Sequence, residues 1–262
     1  MICSLVSSVA GGGEAGTLNL IQSAVITDKR SVFPVGPVVN ESHRRAPRPR
    51  TYDARRRQEA AEESRMRVLA KSRELFLTDG YGRTTIAAIA RAAGVSNESV
   101  YKGFGGKPGL VRAIYEQSLL GAGRPPAEER SDRAQTTITD PRELMEQFGR
   151  FISEVSPIGS PVYLLIRDAA ASGDPDMAAL LRDVDDGRYR RMLHNARQVL
   201  GRGFLREDLT ENEVADVMFM STSAELYETL VLKRGWSAER YGRFMARTLA
   251  ANLLPDPTAS GR

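Results

Sequence analysis

A short stretch of polar side chains carries the clearest chemical signal in this sequence. Its members can all hydrogen-bond to base edges or to phosphates: Asn97, Glu98, Ser99, Tyr101 and Lys102. An asparagine amide can pair with adenine and a lysine with guanine, whereas Glu98 can accept from cytosine but repels phosphates. This combination indicates a surface that binds DNA rather than one that breaks covalent bonds.

The elements around this stretch must hold it in place. Residues 85–104 fit two short helices separated by Gly94, which can adopt a left-handed turn conformation that other residues resist. The apolar positions that the two helices share are Ile86, Ile89, Ala93, Val95 and Val100. A helix-turn-helix of this kind presents its second helix to a major groove. An ordinary helical hairpin inside an all-helical core is the alternative interpretation.

The composition excludes several other kinds of chemistry. The 262 residues contain one cysteine, Cys3, and two histidines, His43 and His194. A disulfide framework, a cysteine-based zinc site and a histidine-rich metal site are therefore excluded. The sequence also contains no P-loop, no GxSxG elbow and no HExxH motif. We therefore predict no enzyme, no catalytic residue, no metal and no cofactor.

Positive charge is concentrated in an arm that precedes the helical part of the chain. Residues 44–57 contain seven arginines and one aspartate, a net charge of +6, whereas the whole chain carries +4 and its remainder therefore −2. Either this arm follows phosphates or enters a minor groove, or it is a solvated run of charge without a partner. We assign residues 1–54 to a disordered, basic leader.

The rest of the sequence predicts an all-α fold of about nine or ten helices without strands, because apolar residues recur at spacings of three and four. Residues 55–120 form a helix-turn-helix domain (motif 85–104), 121–139 a loop, 140–255 a helical-bundle domain for ligand binding and dimerisation, and 256–262 a tail. The expected helices span roughly 57–79, 86–93, 97–103, 106–120, 140–156, 160–171, 175–200, the pair 211–233 and 237–254, with Pro157 as one of the helix ends. No run approaches the roughly 18 apolar residues that a membrane span needs, so we expect a cytoplasmic protein.

Between residues 65 and 115 the sequence resembles the amino-terminal domain of TetR-family transcriptional regulators. The resemblance rests on residue types in order: Gly80-Tyr81, Thr84-Thr85-Ile86, Ile89-Ala90, Ala93-Gly94-Val95-Ser96, Tyr101-x-x-Phe104 and Lys107-x-x-Leu110. It implies a homodimer that binds a palindromic double-stranded operator and is released by a small-molecule effector. It favours a repressor over an activator of the same fold, and a helical adaptor without DNA binding is the remaining alternative.

The resemblance also implies roles for individual residues. The positions of phosphate contacts are taken by Thr85, Tyr101 and Lys107, and those of the recognition surface by Ser96, Asn97, Ser99 and Lys102. Two glycines depart from the family pattern. Gly103 stands where the family often has a histidine or an aromatic residue, and Gly106 stands where serine or asparagine caps the next helix. We therefore expect a softer loop after the recognition helix.

The second domain offers a candidate cavity and a candidate dimer interface. Mixed aromatic and polar positions on the helices of 140–200 are predicted to line the cavity: Phe148, Tyr163, Arg167, Tyr189 and Met192. Arg167 either anchors an anionic ligand there, or reaches solvent or pairs with Asp168 or a neighbouring helix. Residues 211–254 carry more apolar side chains than one core needs, which predicts a helical contact between two copies of the chain.

Overall fold

The computed structural model describes residues 50–121 and 125–256 of the chain. Within these ranges every regular element is helical and no strand occurs, which confirms the predicted fold class. The elements are α1 (Arg50–Asp79), α2 (Ile86–Ala93), α3 (Asn97–Phe104), α4 (Lys107–Ser118), α5 (Ala127–Thr137), α6 (Pro141–Ala171), α7 (Pro175–Leu200), α8 (Glu211–Ser221), α9 (Ala224–Tyr227), the π-helical segment Glu228–Lys233 and α10 (Ala238–Leu253). No helix in the described part is long and apolar enough to cross a membrane.

Helices α1 to α4 pack around a small apolar core that fixes the helix-turn-helix. Ile89, Val100 and Leu110 are fully buried, one from each of the three helices after α1. Gly94 ends α2 in the left-handed conformation at φ 68°, and its position allows the chain to reverse tightly before α3. The predicted order of a short helix, a glycine turn and a second short helix is therefore present.

Helix α1 begins earlier than its predicted start at residue 57. It starts at Arg50, and residues 55–63 are all exposed. Arginine, glutamate and alanine are good helix formers, and the guanidinium of Arg55 pairs with Glu59 one turn later at 2.8 Å. The helix propensity of these residues therefore extends α1 through a segment that has no buried apolar face. The basic arm at residues 44–49 lies outside the described residues.

The predicted loop at 121–139 is wrong in part, because α5 occupies Ala127–Thr137. The buried face of α5 consists of small and polar residues rather than aliphatic ones: Ala127, Ser131, Ala134 and Gln135. Such a face has no apolar periodicity for a sequence pattern to show. The guanidinium of Arg130 also makes a two-pronged ion pair with Glu154 of α6, with one N–O distance of 2.9 Å. Tertiary contacts therefore order a segment whose composition resembles a loop.

The predicted helix end at Pro157 is also wrong. Helix α6 continues from Pro141 to Ala171 with Pro157 and Pro161 inside it. A proline within a helix removes one hydrogen bond and costs about 3 kcal/mol. Burial of Ile152 before the prolines and of Val162 after them offsets this cost, and Arg73 of α1 donates to the carbonyl of Ile158 at 3.3 Å.

The region 211–233 is divided differently from a simple helix pair. Helix α8 begins with a capping box, in which the side chains of Thr210 and Glu213 each accept from the other residue's backbone N–H. It ends at Ser221, and the Ser223 side chain caps α9, which continues into the π-helical segment. Ser237 caps α10, which ends at Leu253.

Helices α6 and α10 cross at a pair of glycines, Gly149 and Gly242, where the two backbones meet. A Cβ atom on Gly149 would lie 2.5 Å from the carbonyl oxygen of Gly242 and 2.7 Å from Cβ of Ala246. Neither neighbour is the end of a flexible side chain, so the helices would have to separate. The close crossing therefore requires glycine.

We predict that Gly149→Ala lowers the free energy of unfolding by about 1–3 kcal/mol, because added volume at a tight contact forces the backbones apart. Gly187→Ala is the matched control. Gly187 lies inside α7, where an added Cβ would meet only the Arg190 guanidinium at 3.8 Å, and alanine there is expected to stabilise the helix by up to about 1 kcal/mol. Urea unfolding of the two variants measures this difference, and equal midpoints would contradict the glycine requirement.

Candidate nucleic-acid interface and internal cavity

The outer face of α3 is polar and open. Asn97, Ser99, Tyr101 and Lys102 are exposed, whereas Val100 on the opposite side is fully buried. The Tyr101 side chain is 55% exposed, which is unusual for a large aromatic residue with no function at the surface. In the described part of the chain no acidic group forms an ion pair with Lys102. This face therefore combines amide, hydroxyl and ammonium groups that are free to meet an external partner.

Thr85 and Ser96 hold the two helix starts. The hydroxyl oxygen of Thr85 accepts from the backbone N–H of Ala88 at 3.1 Å, and that of Ser96 accepts from Ser99 at 3.1 Å. The two serine hydroxyls also share a hydrogen bond of 2.8 Å. These residues were predicted to contact DNA, and the structure gives them N-cap positions. Both stay exposed at the face that α3 presents.

Lys107 begins α4 in a half-buried position. Its Nζ lies 4.2 Å from the centre of the Tyr81 ring, a distance typical of a cation–π contact. Burial lowers the pKa of the Lys107 ammonium, and Asp174 partly opposes this shift. Burial, with a contribution from Asp174, raises the pKa of the Tyr81 hydroxyl to about 12. Because Asp174 caps α7, this cluster joins the start of α4 to the second domain.

Sequence reasoning missed Arg65 as a residue that positions the recognition helix. Its guanidinium lies 4.6 Å from the centre of the Phe104 ring and donates to the carbonyl of Gly103 at 3.4 Å. Helix α1 therefore holds the carboxyl end of α3, next to the glycines that were expected to soften the loop. Gly106 has a φ of 130° and offers no side-chain cap to α4. Arg65 and Phe104 are far apart in sequence, so no local pattern signals their contact.

An internal cavity of about 440 Å³ lies among α4, α5, α6, α7 and the region of α8. Its walls are mainly aromatic and aliphatic, with the apolar positions Tyr115, Leu119, Phe148, Phe151, Ile152, Val155, Tyr163, Val184, Met192, Met218 and Leu249. This volume falls in the range of small-molecule sites in proteins, and an apolar lining with few polar groups is typical of them.

Each arginine in the cavity wall is paired with a carboxylate. Arg112 of α4 bonds Asp183 of α7 at 2.6 Å. Arg188 bonds Asp185 at 3.1 Å, and Arg191 bonds Asp132 at 2.6 Å. The wall therefore presents neutralised pairs rather than free positive charge. Within the described ranges no group of three histidine, cysteine, aspartate or glutamate residues could hold a metal ion.

Comparison with known proteins identifies the helix-turn-helix. Residues 68–114 match the family model described as "Bacterial regulatory proteins, tetR family". The HTH-type transcriptional regulator TtgR and the probable HTH-type transcriptional regulator ArpR, both of Pseudomonas putida, are each 37% identical over 62 residues. The helix-turn-helix is therefore similar to this family model and to these two regulators. The match covers 24% of the chain and 30% of the length of these curated relatives.

Solved structures extend the likeness to the fold of about three quarters of the chain. The SmeT–triclosan complex has a TM-score of 0.60 at 20% identity, over 74% of this chain and 93% of that one. NalD, the secondary repressor of the MexAB-OprM multidrug efflux pump in Pseudomonas aeruginosa, has a TM-score of 0.57 at 18% identity, over 76% and 99%. At this identity the likeness shows the fold.

The structure separates the five predicted cavity residues into two groups. Phe148, Tyr163 and Met192 line the cavity. Arg167 does not line the cavity. Its guanidinium pairs with Asp168 at 2.8 Å and with Glu228 at 3.0 Å, which agrees with the alternative that Arg167 pairs with Asp168 or a neighbouring helix. Tyr189 does not line the cavity either, and its hydroxyl donates to Asp216 of α8 at 3.0 Å. Both side chains satisfy their polar groups outside the cavity.

The cavity residues that the sequence did not indicate include three from α4. Arg112, Tyr115 and Leu119 line the cavity, although α4 was assigned to the DNA-binding domain alone. Conversely, Ile166 and Met177 of the second domain are fully buried in the same core as Ile89 of the helix-turn-helix. The two predicted domains therefore share one continuous apolar core, which a pattern read along the chain does not reveal.

Proposed function

We propose that this chain is a homodimeric, sequence-specific DNA-binding repressor of the TetR family, and that a small molecule in the internal cavity releases it from its operator. The single observation that carries the proposal is the position of α4. Its first residue, Lys107, stands beside the helix-turn-helix, and its Tyr115 and Leu119 form part of the cavity wall. One rigid helix of 12 residues therefore contacts both candidate sites.

On the DNA side, the free polar face of α3 supports base recognition by Asn97 and Lys102, with Ser96 and Ser99 at the start of the same face. Tyr101, Thr85 and Lys107 are suited to phosphates at its edges. Residues 55–63 of α1 are exposed. Their arginines, which belong to the basic arm, are proposed to add phosphate or minor-groove contacts. Phosphate contacts set the register, and the amide and ammonium groups of α3 select the sequence.

On the cavity side, a ligand bound in the cavity acts by favouring one of two arrangements of α4. A ligand that binds one arrangement more tightly shifts the population toward that arrangement. A ligand that binds both arrangements equally tightly leaves the population unchanged. The Arg112–Asp183 ion pair spans α4 and α7 at the cavity wall, so movement between these helices changes it directly. A displaced α4 carries Lys107 and the packed α3 with it.

The dimer interface is proposed for residues 211–254. Three large apolar side chains in this region are exposed in the single chain: Met220, Leu232 and Phe244. Trp236 packs edge-on against Phe244 at 5.5 Å between ring centres. Exposed apolar groups of this size near one another are typical of a protein interface. A two-fold axis there sets two α3 helices about one DNA turn, roughly 34 Å, apart.

The names of similar proteins support repression and release. NalD is described as a repressor, SmeT as the repressor of a Stenotrophomonas maltophilia efflux pump, and one SmeT structure is a complex with the small molecule triclosan. An activator of the same fold also protects DNA, whereas a helical adaptor does not. Protection of DNA and the sign of its effect on transcription therefore separate the three functions.

We expect footprinting of the purified protein on the DNA upstream of its own gene to protect one palindrome, because a two-fold dimer places two recognition helices symmetrically. Protection is expected to weaken from 50 to 200 mM salt, since each neutralised phosphate releases counterions (such binding loses about 10³–10⁵ in affinity over this range). Transcription from that DNA in vitro is expected to fall when the protein is added. The absence of a protected site at both salt concentrations would refute DNA binding and would leave the helical adaptor as the remaining function.

On the protected sequence, Lys107→Ala is expected to reduce the slope of log K against log salt by about one per subunit, with equal weakening on every sequence. Lys71→Ala is the matched control, because Lys71 is an exposed lysine of α1 that pairs with Glu74 at 2.7 Å. Its slope should stay unchanged. An unchanged slope for Lys107→Ala as well would remove Lys107 from the phosphate contacts.

Phe244→Glu is expected to convert the dimer into monomers, because a charge at a fully covered apolar contact is costly to desolvate. Met66→Glu is the matched control, since Met66 of α1 is 43% exposed and Phe244 is 38% exposed, but Met66 lies outside residues 211–254. Sedimentation equilibrium measures both masses. A dimer that survives Phe244→Glu would place the interface elsewhere.

A further inference from the structure

We propose that the internal cavity selects an uncharged, largely aromatic molecule whose polar group hydrogen-bonds to the Tyr115 hydroxyl. This deepens the proposed function, because it names the class of effector and rests on the cavity being the effector site. The inference comes from three properties of the wall: its apolar surface, the pairing of its charges and one polar group without a protein partner.

The apolar surface favours flat, aromatic ligands. The rings of Tyr115, Phe148, Phe151 and Tyr163 line the cavity together with aliphatic side chains. Aromatic rings attract one another edge-on or offset, beyond the effect of area alone. Met192 and Met218 add flexible, polarisable thioethers that adapt to different ring shapes. A volume of about 440 Å³ holds a molecule of two or three fused or linked rings.

The charges of the wall disfavour an anion. Arg188 is the most deeply placed cation, with a side chain 13% exposed. Asp185 neutralises it, the Thr222 carbonyl accepts from it at 3.0 Å, and its guanidinium lies 4.4 Å from the centre of the Phe219 ring. The Tyr163 hydroxyl donates to the same Asp185 at 2.9 Å. An anionic ligand would gain no free cation and would have to break one of these pairs in a desolvated site.

A cationic ligand finds no better partner inside the cavity. The carboxylates of Asp183 and Glu128 are engaged by Arg112 and Arg191. Glu116 also lines the cavity, but it is exposed to solvent at the outer side of α4, where water screens it. The interior is therefore matched to a neutral molecule.

Tyr115 supplies the polar group without a partner. The residue is 7% exposed, lies in the cavity wall, and its hydroxyl makes no hydrogen bond with any residue that the structure describes. A hydroxyl that borders the cavity without a protein partner can exchange a hydrogen bond to water for one to a ligand. Burial raises the pKa of Tyr115 to about 12, so the group is a neutral donor and acceptor near pH 7.

A matched pair of fluorescent probes tests the charge selection. N-phenyl-1-naphthylamine is uncharged and carries one N–H group, and 8-anilino-1-naphthalenesulfonate has the same ring system with a sulfonate added. Both brighten in apolar surroundings. Titration into the full-length dimer without DNA is expected to give at least tenfold tighter binding of the uncharged probe. Equal or tighter binding of the sulfonate, or no saturable binding of the uncharged probe, would overturn the proposal.

Variants of the cavity wall test the location and the anchor. Tyr115→Phe keeps the ring and removes the hydroxyl, so a two- to tenfold loss in affinity for the uncharged probe is expected, as for one neutral hydrogen bond. Gly187 lines the cavity, and an added Cβ there would meet only the Arg190 guanidinium at 3.8 Å. Gly187→Phe is therefore expected to weaken probe binding at least tenfold. Met66→Phe, which adds the same ring at an exposed position of α1 outside the cavity wall, is expected to leave binding within twofold. Unchanged binding in Tyr115→Phe would overturn the claim that the Tyr115 hydroxyl anchors the ligand. Unchanged binding in Gly187→Phe would overturn the claim that the probe binds in this cavity.

Asp185→Asn reverses the selection. It removes the charge that neutralises Arg188 but retains an oxygen for the Tyr163 hydroxyl. Affinity for the sulfonate probe is expected to rise at least threefold, whereas affinity for the uncharged probe stays within twofold. No gain for the sulfonate would overturn the claim that paired charges exclude anions.

These titrations contain no DNA, so their outcome is separate from that of the proposed function. Selective probe binding without any protected DNA would refute the proposal that the protein is a repressor but support the proposed class of ligand. A protected palindrome with no selective probe binding would support DNA binding but refute the proposed class of ligand.

Discussion

Burial of α4 on two sides is the constraint on which the rest of this structure depends. Leu110, Val111 and Ile114 lie fully or almost fully buried in the core that α1 to α3 share. One turn further, Tyr115 faces the cavity. At the start of α4, Gly109 packs directly against the Phe104 carbonyl, where no Cβ would fit. The recognition helix is therefore positioned by a helix that is also part of a cavity wall.

Apolar packing, rather than ion pairs, gives this arrangement its rigidity. The Arg112 and Asp183 side chains are 47% and 59% exposed, and a pair at that exposure contributes about 0–1 kcal/mol. Each fully buried aliphatic side chain contributes about 1.5–3 kcal/mol. Because close-packed cores switch between discrete arrangements rather than deform continuously, a ligand against Tyr115 is expected to move α4 as a body. The ion pairs then tune the balance between two arrangements.

Local signals predicted the parts of the fold that local chemistry determines. The turn at Gly94 occurs where it was predicted. The caps at Ser96, Thr210 and Ser237 are local in the same sense, because each side chain bonds a backbone N–H three residues later. The helix-turn-helix and its exposed polar face were predicted for the same reason.

Long-range contacts explain what was missed. Helix α5 depends on the Arg130–Glu154 pair across 24 residues, and α6 continues through Pro157 because both flanks are buried in tertiary contacts. Arg167 had the sequence context of a cavity residue, but its guanidinium pairs with Glu228, which lies 61 residues away in the sequence. The cavity itself was half predicted, because Phe148 and Tyr163 belong to the second domain whereas Tyr115 comes from the first.

The most direct test of the central claim is the distance between the two recognition helices with the cavity empty and filled. Nitroxide labels at Gly103→Cys, in a Cys3→Ser background, place one probe on each α3 of the dimer at an exposed position with no assigned DNA contact. Double electron–electron resonance measures their separation. With operator DNA the account predicts a narrow distribution near one DNA turn, about 34 Å. Saturation with N-phenyl-1-naphthylamine should shift that distance and release the DNA. An unchanged distribution at saturation would contradict coupling through α4.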